Sequence, residues 1–570
     1  MDDISREDLA NVLREACDEA SERGSFGLFY VSDALKARAR DSREDPLNAL
    51  RAGLDYHFLP YEEQRDGGGP FGPMMAMRGM VYPMPLDQVP DDVLDLWASA
   101  VDLSPLALVG ARFADLLWEV GFGEEPYRWC QVAIDLYQAA VEEGFGTPVE
   151  LMEAGRRAFE LALQINHAER LRSVVEKLLG LIRQSIADGE TPGVALPLLE
   201  LLASQRQDDR PEELEGLVDD AITVYGTDPW HLESALDVKA KLARPEDRAD
   251  LHLAQVEAFV DQARRSTGLV RYAHLQRAIE MAGEHGLYDR AEELRREVEG
   301  ISEEELDLKE IAVEVQIPRE EIDNLIRTIV GDDNLRAALA RFGLYLPLAE
   351  PDESLRFVDE LIAEHPLQSL ITRMTIGPEN ALLRKVQNPD DHREAALIDY
   401  ETRTVTFFGY LSTDILNSII ERYGPISSEL TWFESPMIEP AVAQRIGEAI
   451  GMYEDGDYDG CASVLTPRLE RIIRTTARMV GLSTTRSPGP GGKSGGVKTL
   501  GSLLRLMKGA IPERTRRYLI VLLTEVTGLN LRNRISHGLV DKVSPPEAAL
   551  LIHAACHLSL LAPASSAEEE

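Results

Sequence analysis

The chain has 570 residues, 44% of them apolar, and a formal charge of −40 at neutral pH. That length exceeds one compact core and predicts roughly three or four domain-sized units. The charge makes the chain as a whole repel nucleic acid and anionic membrane. Four scattered cysteines, Cys17, Cys130, Cys461 and Cys556, form no CxxC pair and give no sign of a disulfide framework or zinc finger. The acidic start, MDDISREDL, lacks a signal-peptide core. The longest apolar run, Ala549 to Ala562, is too short to span a bilayer and carries His553 and His557. A cytoplasmic protein without a membrane partner is the expectation.

In chain order, residues 1 to about 45 read as polar helix. The stretch DGGGPFGPMMAMRGMVYPMPLDQVP follows and predicts loop, because glycine and proline break both helix and strand. Its methionines, Met74, Met75, Met77 and Met80, suit interdomain packing better than a binding groove. From about Asp91 to Glu299 apolar residues recur at helical spacing, as in Val109, Phe113, Leu116 and Leu117. HLQRAIEMAGEHGLYDRAEELRREVE reads as two amphipathic helices joined at a glycine, similar to a tetratricopeptide-like hairpin but without a strict period. The prediction is an all-α fold: a segment over 1–90, an irregular α-solenoid-like array over 91–300, a mainly helical middle domain over 301–454, and a helical bundle over 455–570. Within the middle domain, YETRTVTFFGYL alternates as a strand would and predicts a small hairpin or edge. The acidic helices are solvated faces that could also present a protein-binding surface.

The C-terminal segment differs in charge. Residues 461 to 550 hold 15 basic and 5 acidic side chains, a balance of +10, whereas the other 480 residues hold 44 and 94, or −50. Arg471, Arg474 and Arg478 lie three and four apart on one predicted helix face, with Leu465, Leu469 and Ile472 on the other. A final helix is predicted at SPPEAALL, where Ser544 and Glu547 have capping-box spacing and Pro545 suits the first turn.

Within this segment stands LNLRNRISHG, residues 529–538. Gly528 interrupts the preceding helix, Asn530 caps a short new one, and Gly538 supplies a left-handed stop. Arg532 and Asn533 then fall in a first turn, where free N–H groups favour an anion. Asn533 and His537, four apart, share a face. A permanent cation, an amide and a proton-transfer group thus gather around one possible phosphate.

RNRISHG fits the pattern RNxxxHG and, with GLNLRN leading into it, resembles the hallmark of a domain of unknown function in the HEPN superfamily (higher eukaryotes and prokaryotes nucleotide-binding). ARFADLLWEVG at 111–121 resembles that family too. The resemblance to that domain covers about residues 455 to 560 and implies a metal-independent endoribonuclease without cofactor, acting in defence or stress response. It implies a composite site at a homodimer interface through this bundle, with arginine and histidine from both protomers. On that expectation His537 takes the ribose 2′-OH proton, Arg532 stabilises the phosphorane, Asn533 orients the phosphate or the histidine, and a 2′,3′-cyclic phosphate results. Arg471, Arg474, Arg478 and Arg534 are expected to contact the RNA.

Other patterns carry less. About three chance R-x(4–6)-H matches are expected in such a chain, and Arg51 with His57 is one that lacks the Asn, the Gly and the basic neighbours. SPGPGGKS imitates a phosphate-binding loop, but Ser487 stands where its first glycine should be and a helix precedes it. His553 and His557 sit one turn apart with no third ligand, favouring core or dimer packing over metal. Two rivals stand beside the nuclease: a bundle that binds RNA or nucleotide without cleaving it, and a pure dimerisation module on an interaction scaffold.

Overall fold

The computed structural model describes residues 4–23, 27–42, 45–59, 69–77, 80–309, 317–487 and 495–561. Among the described residues the secondary structure is overwhelmingly α-helical, with only short two-stranded ribbons, so the all-α class holds. The chain divides into two compact units, Met1–Arg296 and Glu297–Glu570. Among the described residues no helix is long and apolar enough to cross a membrane.

The N-terminal unit opens with helices Arg6–Arg23, Gly27–Arg38 and Pro46–Leu54, the third capped by Asp45, whose carboxylate accepts from the Leu47 N–H at 2.9 Å. The glycine- and methionine-rich stretch is not purely loop. His57–Phe58 pairs with Phe71–Gly72, and Met75–Met77 with Met80–Tyr82. Met74 and Met75 are exposed, and the side chains of Met77 and Met80 lie outside what is described. From Asp91 helices follow one another and pack chiefly on their sequence neighbours: Ala107–Glu119 on Tyr127–Glu143, and Arg248–Arg265 on Gly268–Glu284. The helix Gly268–Glu284 stops where the sequence places a joint. Gly286 is left-handed at φ +74°, and the Leu287 N–H reaches back to Ala282 O at 2.7 Å.

Ala107–Glu119, which contains most of ARFADLLWEVG, is buried continuously from Ala107 to Leu117. Burial on every face brings two charges inside. Asp115 accepts both Nε and Nη2 of Arg157, at 2.9 and 2.8 Å, and the Tyr137 hydroxyl at 3.0 Å. Arg112 donates to Tyr56 O at 2.7 Å beneath the Phe58 and Phe71 rings. This part of the family-like sequence is a structural ionic core. The second arginine–histidine match is structural as well: Arg51 lies 3.3 Å from Asp55 and over the Tyr82 ring.

The C-terminal unit is built around helix Pro545–Leu560, buried from Ala548 to Leu558 and packed by Leu335–Leu344, Pro389–Tyr423 and Tyr458–Met479. The middle stretch and the basic segment therefore share one hydrophobic core. Gly343 permits the closest approach, since a Cβ there would lie 2.8 Å from the Cys556 carbonyl carbon. The predicted capping box of Ser544 and Glu547 is formed.

The strand expected at YETRTVTFFGYL is not one. Residues 400–411 lie inside the 35-residue helix Pro389–Tyr423. Val405, Phe408 and Ser412 turn inward at helical spacing, and Thr404 and Thr406 donate back to Tyr400 O and Thr402 O at 2.9 and 2.7 Å. Tertiary burial and these back-bonds outweigh the β preference of a Thr/Val/Phe run. A hairpin of the unit lies earlier, pairing Arg373–Ile376 with Leu382–Val386.

Candidate functional site

Helix Glu513–Leu523 ends five residues before Gly528, and the chain turns through Leu529 into the short helix Leu531–Ser536. Asn530 stands at its start in a left-handed conformation, φ +51°, rather than as an extended cap. Its carbonyl accepts from the N–H groups of Asn533 and Arg534 at 3.1 and 3.0 Å, and its Oδ1 accepts from Asn533 Nδ2 at 2.8 Å. One of the first-turn donors predicted to face an anion, the Asn533 N–H, is thus already used. Gly538 is left-handed at φ +70°, and the Leu539 N–H returns to Arg534 O at 2.8 Å, closing the helix as the sequence predicts.

Arg532 is 28% exposed at its side chain and heavily braced. Its Nε donates to Glu470 Oε2 at 3.0 Å and its Nη1 to Asn533 Oδ1 at 2.8 Å. Nη2 has no acceptor among the described residues. Asn533 is consumed in this brace, with oxygen and nitrogen both engaged. The imidazole of His537 is exposed and has no hydrogen-bond partner among the described residues. No hydrogen bond joins Arg532 to His537. On an ideal helix residues five apart project about 140° from one another, so one chain aims these two groups differently.

Glu470, on helix Tyr458–Met479, is the group the sequence reading missed. Its Oε1 accepts from Arg474 Nη2 at 2.6 Å while Oε2 holds Arg532, and its side chain is 18% exposed. Burial pushes the Glu470 carboxyl up, but hydrogen bonds from Arg474 and Arg532 outweigh it and hold the group below the ordinary carboxylate range. The Glu470–Arg474 spacing of four is a visible helical pair; the link to a residue 62 positions on is not.

The three arginines do not form one open face. Arg474 turns inward to Glu470 and to Lys498 O at 2.7 Å, and its buried Nη1 has no partner among the described residues. Arg471 pairs with Glu439 at 2.7 Å across exposed surface. Arg478 is exposed and bonds only the Thr475 hydroxyl, with no carboxylate partner among the described residues. Arg534 lies 3.2 Å from Glu547 Oε1. The phosphate-loop imitation falls, apart from Ser487, outside the described residues.

His553 and His557 are core groups. His553 Nε2 lies 2.9 Å from Tyr345 O, which can only accept, so Nδ1 accepts from the Tyr518 hydroxyl at 2.8 Å. By the same reasoning His557 Nδ1 donates to Gly343 O at 2.8 Å and Nε2 accepts from Thr515 at 3.0 Å. Burial, with a contribution from His557, pushes His553 down to about 3. Every ring nitrogen is occupied, leaving none for a metal.

No family model, curated protein or solved structure matches this chain.

Proposed function

We propose that the C-terminal unit is a metal-independent endoribonuclease of the HEPN type, acting as a homodimer in the cytoplasm in defence or stress response. The observation that carries this reading is the division of labour on Leu531–Ser536: a guanidinium fixed through Nε and Nη1 with Nη2 unpartnered, and an exposed imidazole at the other end. A fixed guanidinium stabilises charge developing on a phosphorane without reorganising during the reaction. An unpartnered imidazole has a ring nitrogen free to accept a proton from a bound hydroxyl. In the proposed step His537 removes the 2′-OH proton, and the 2′ oxygen attacks the adjacent phosphorus. The P–O5′ bond breaks, and the proton taken up by the histidine passes to the departing 5′ oxygen, leaving a 2′,3′-cyclic phosphate and a 5′-OH. Asn533 serves by holding Arg532.

The different directions of Arg532 and His537 favour pairing each with its counterpart on a second protomer. The N-terminal unit, acidic in sequence, would bind a protein partner or restrain the nuclease. A second reading has its own observation: Glu470 already neutralises Arg532, which suits a module that binds RNA or nucleotide without cleaving it. Incubation with RNA in EDTA separates the two. The nuclease yields cyclic-phosphate ends that His537→Ala abolishes, whereas the binding module retains RNA and leaves it intact.

A further inference from the structure

A cavity of about 350 Å³ opens against the motif, between the long helix Pro389–Tyr423 and the start of Pro545–Leu560. Thr402, Thr406 and Tyr410 line one side, and Leu529, Arg534 and Glu547 the other. Tyr410 is 61% exposed, and its ring and hydroxyl have no partner among the described residues. Thr402 Oγ1 is buried and likewise has no hydrogen-bond partner among them. A buried hydroxyl without a partner is costly to the fold unless something else satisfies it. Both oxygens of Glu547 are engaged, one accepting from Arg534 and the other from the Ser544 N–H and hydroxyl. Among the described residues Arg534 bonds through Nη1 alone, which leaves its Nε and Nη2 without acceptors there.

We infer that this cavity is a nucleobase subsite, taking one carbonyl-bearing base of an RNA stacked on Tyr410, with hydrogen bonds from Arg534 and Thr402. Its size falls at the small end of ligand pockets and suits one planar ring system. Aromatic rings bind bases through stacking, and arginine donors match their carbonyl acceptors. Position agrees with this. On an ideal helix Arg534 projects about 60° from His537, and about 160° from Arg532. A base seated here therefore lies on the side of the short helix closer in direction to His537 than to Arg532. The inference rests on the nuclease reading for the identity of the polymer.

The test compares the binding of an eight-nucleotide oligouridylate with that of an abasic oligoribonucleotide of equal length, by fluorescence anisotropy in EDTA. Full-length His537→Ala protein prevents cleavage during the measurement. The uridylate should bind about tenfold more tightly, roughly the value of one stacked base. Adding Tyr410→Ala should erase that difference, and adding Tyr410→Phe should preserve it; the exposed ring can be truncated without opening the core. Thr402→Val, which keeps the shape and removes the hydroxyl, should reduce it. Equal binding of the two oligonucleotides, or a preference that survives Tyr410→Ala, overturns the subsite while leaving cleavage at Arg532 and His537 standing. If neither oligonucleotide binds, the subsite and the nuclease reading fall together.

Discussion

At the scale of single residues, Glu470 decides how Arg532 behaves. It anchors the guanidinium and subtracts a unit of positive charge from the surface a phosphate would approach. Glu470→Gln should therefore slow RNA cleavage, because the arginine loses its charged anchor, yet tighten binding and steepen the salt dependence by up to about one counterion. Cleavage and binding that fall together would show Glu470 acting only through the fold. Buried His553 makes a prediction about pH. The unfolded chain protonates its histidines near pH 6.5, whereas this imidazole in the folded unit does not protonate until about 3. Between those values the unfolded state binds more protons, so stability rises with pH, by about 1 kcal/mol per unit for His553. His557, also pushed down by burial, adds in the same direction. Urea unfolding at pH 7 and pH 5 should show the loss, and His553→Phe should reduce it while lowering stability at pH 7. The same pH response in wild type and variant would refute the assignment. The motif residues themselves were legible because a short helix between Asn530 and Gly538 needs only local signals. Glu470 was hidden because its partner lies far along the chain.

At the scale of elements, helices with caps and apolar periodicity could be read from sequence, as Ser544–Glu547 and Gly538 show. The long helix through Thr402, Val405 and Phe408 could not. Its local composition favours a strand, and burial, chiefly against Pro545–Leu560, together with the threonine back-bonds makes it helical. The basic helix fails differently. Periodicity places Arg471, Arg474 and Arg478 on one side but cannot tell that Arg474 folds onto Glu470 and Lys498 O. Charge reversal should separate these roles. Arg478→Glu should weaken RNA binding and lower the salt slope by about one, with the melting temperature unchanged. Arg474→Glu should destabilise the protein, since two carboxylates would then face each other with little exposure. Similar melting temperatures for the two variants would contradict the inward placement of Arg474. Close packing has its own test. Gly343→Ala would force a Cβ against the Cys556 carbonyl and should cost about 1–3 kcal/mol in denaturant unfolding.

At the scale of the whole molecule, the sequence divides the chain near residue 300 and the compact units part at Arg296. A further division at 454 has no counterpart in the core, because Ile415 and Leu416 pack in the same cluster as Leu519 and Leu551. Burial across long sequence separations carries no local signal. In the N-terminal unit Asp115→Asn would leave Arg157 buried without its main counter-ion and should cost about 3–5 kcal/mol, read as an earlier melting transition. The proposed activity requires two copies of the C-terminal unit. Arg532→Ala and His537→Ala, each inactive alone, should recover part of the activity when mixed, through heterodimers that keep one intact composite site. The central claim is nevertheless chemical, and one measurement addresses it most directly: full-length protein incubated with RNA in EDTA, with the ends of the products analysed beside a His537→Ala control. The wild type should give fragments ending in 2′,3′-cyclic phosphate, and the variant should leave the RNA intact. Intact RNA from both, or the same fragments from both, would contradict that claim.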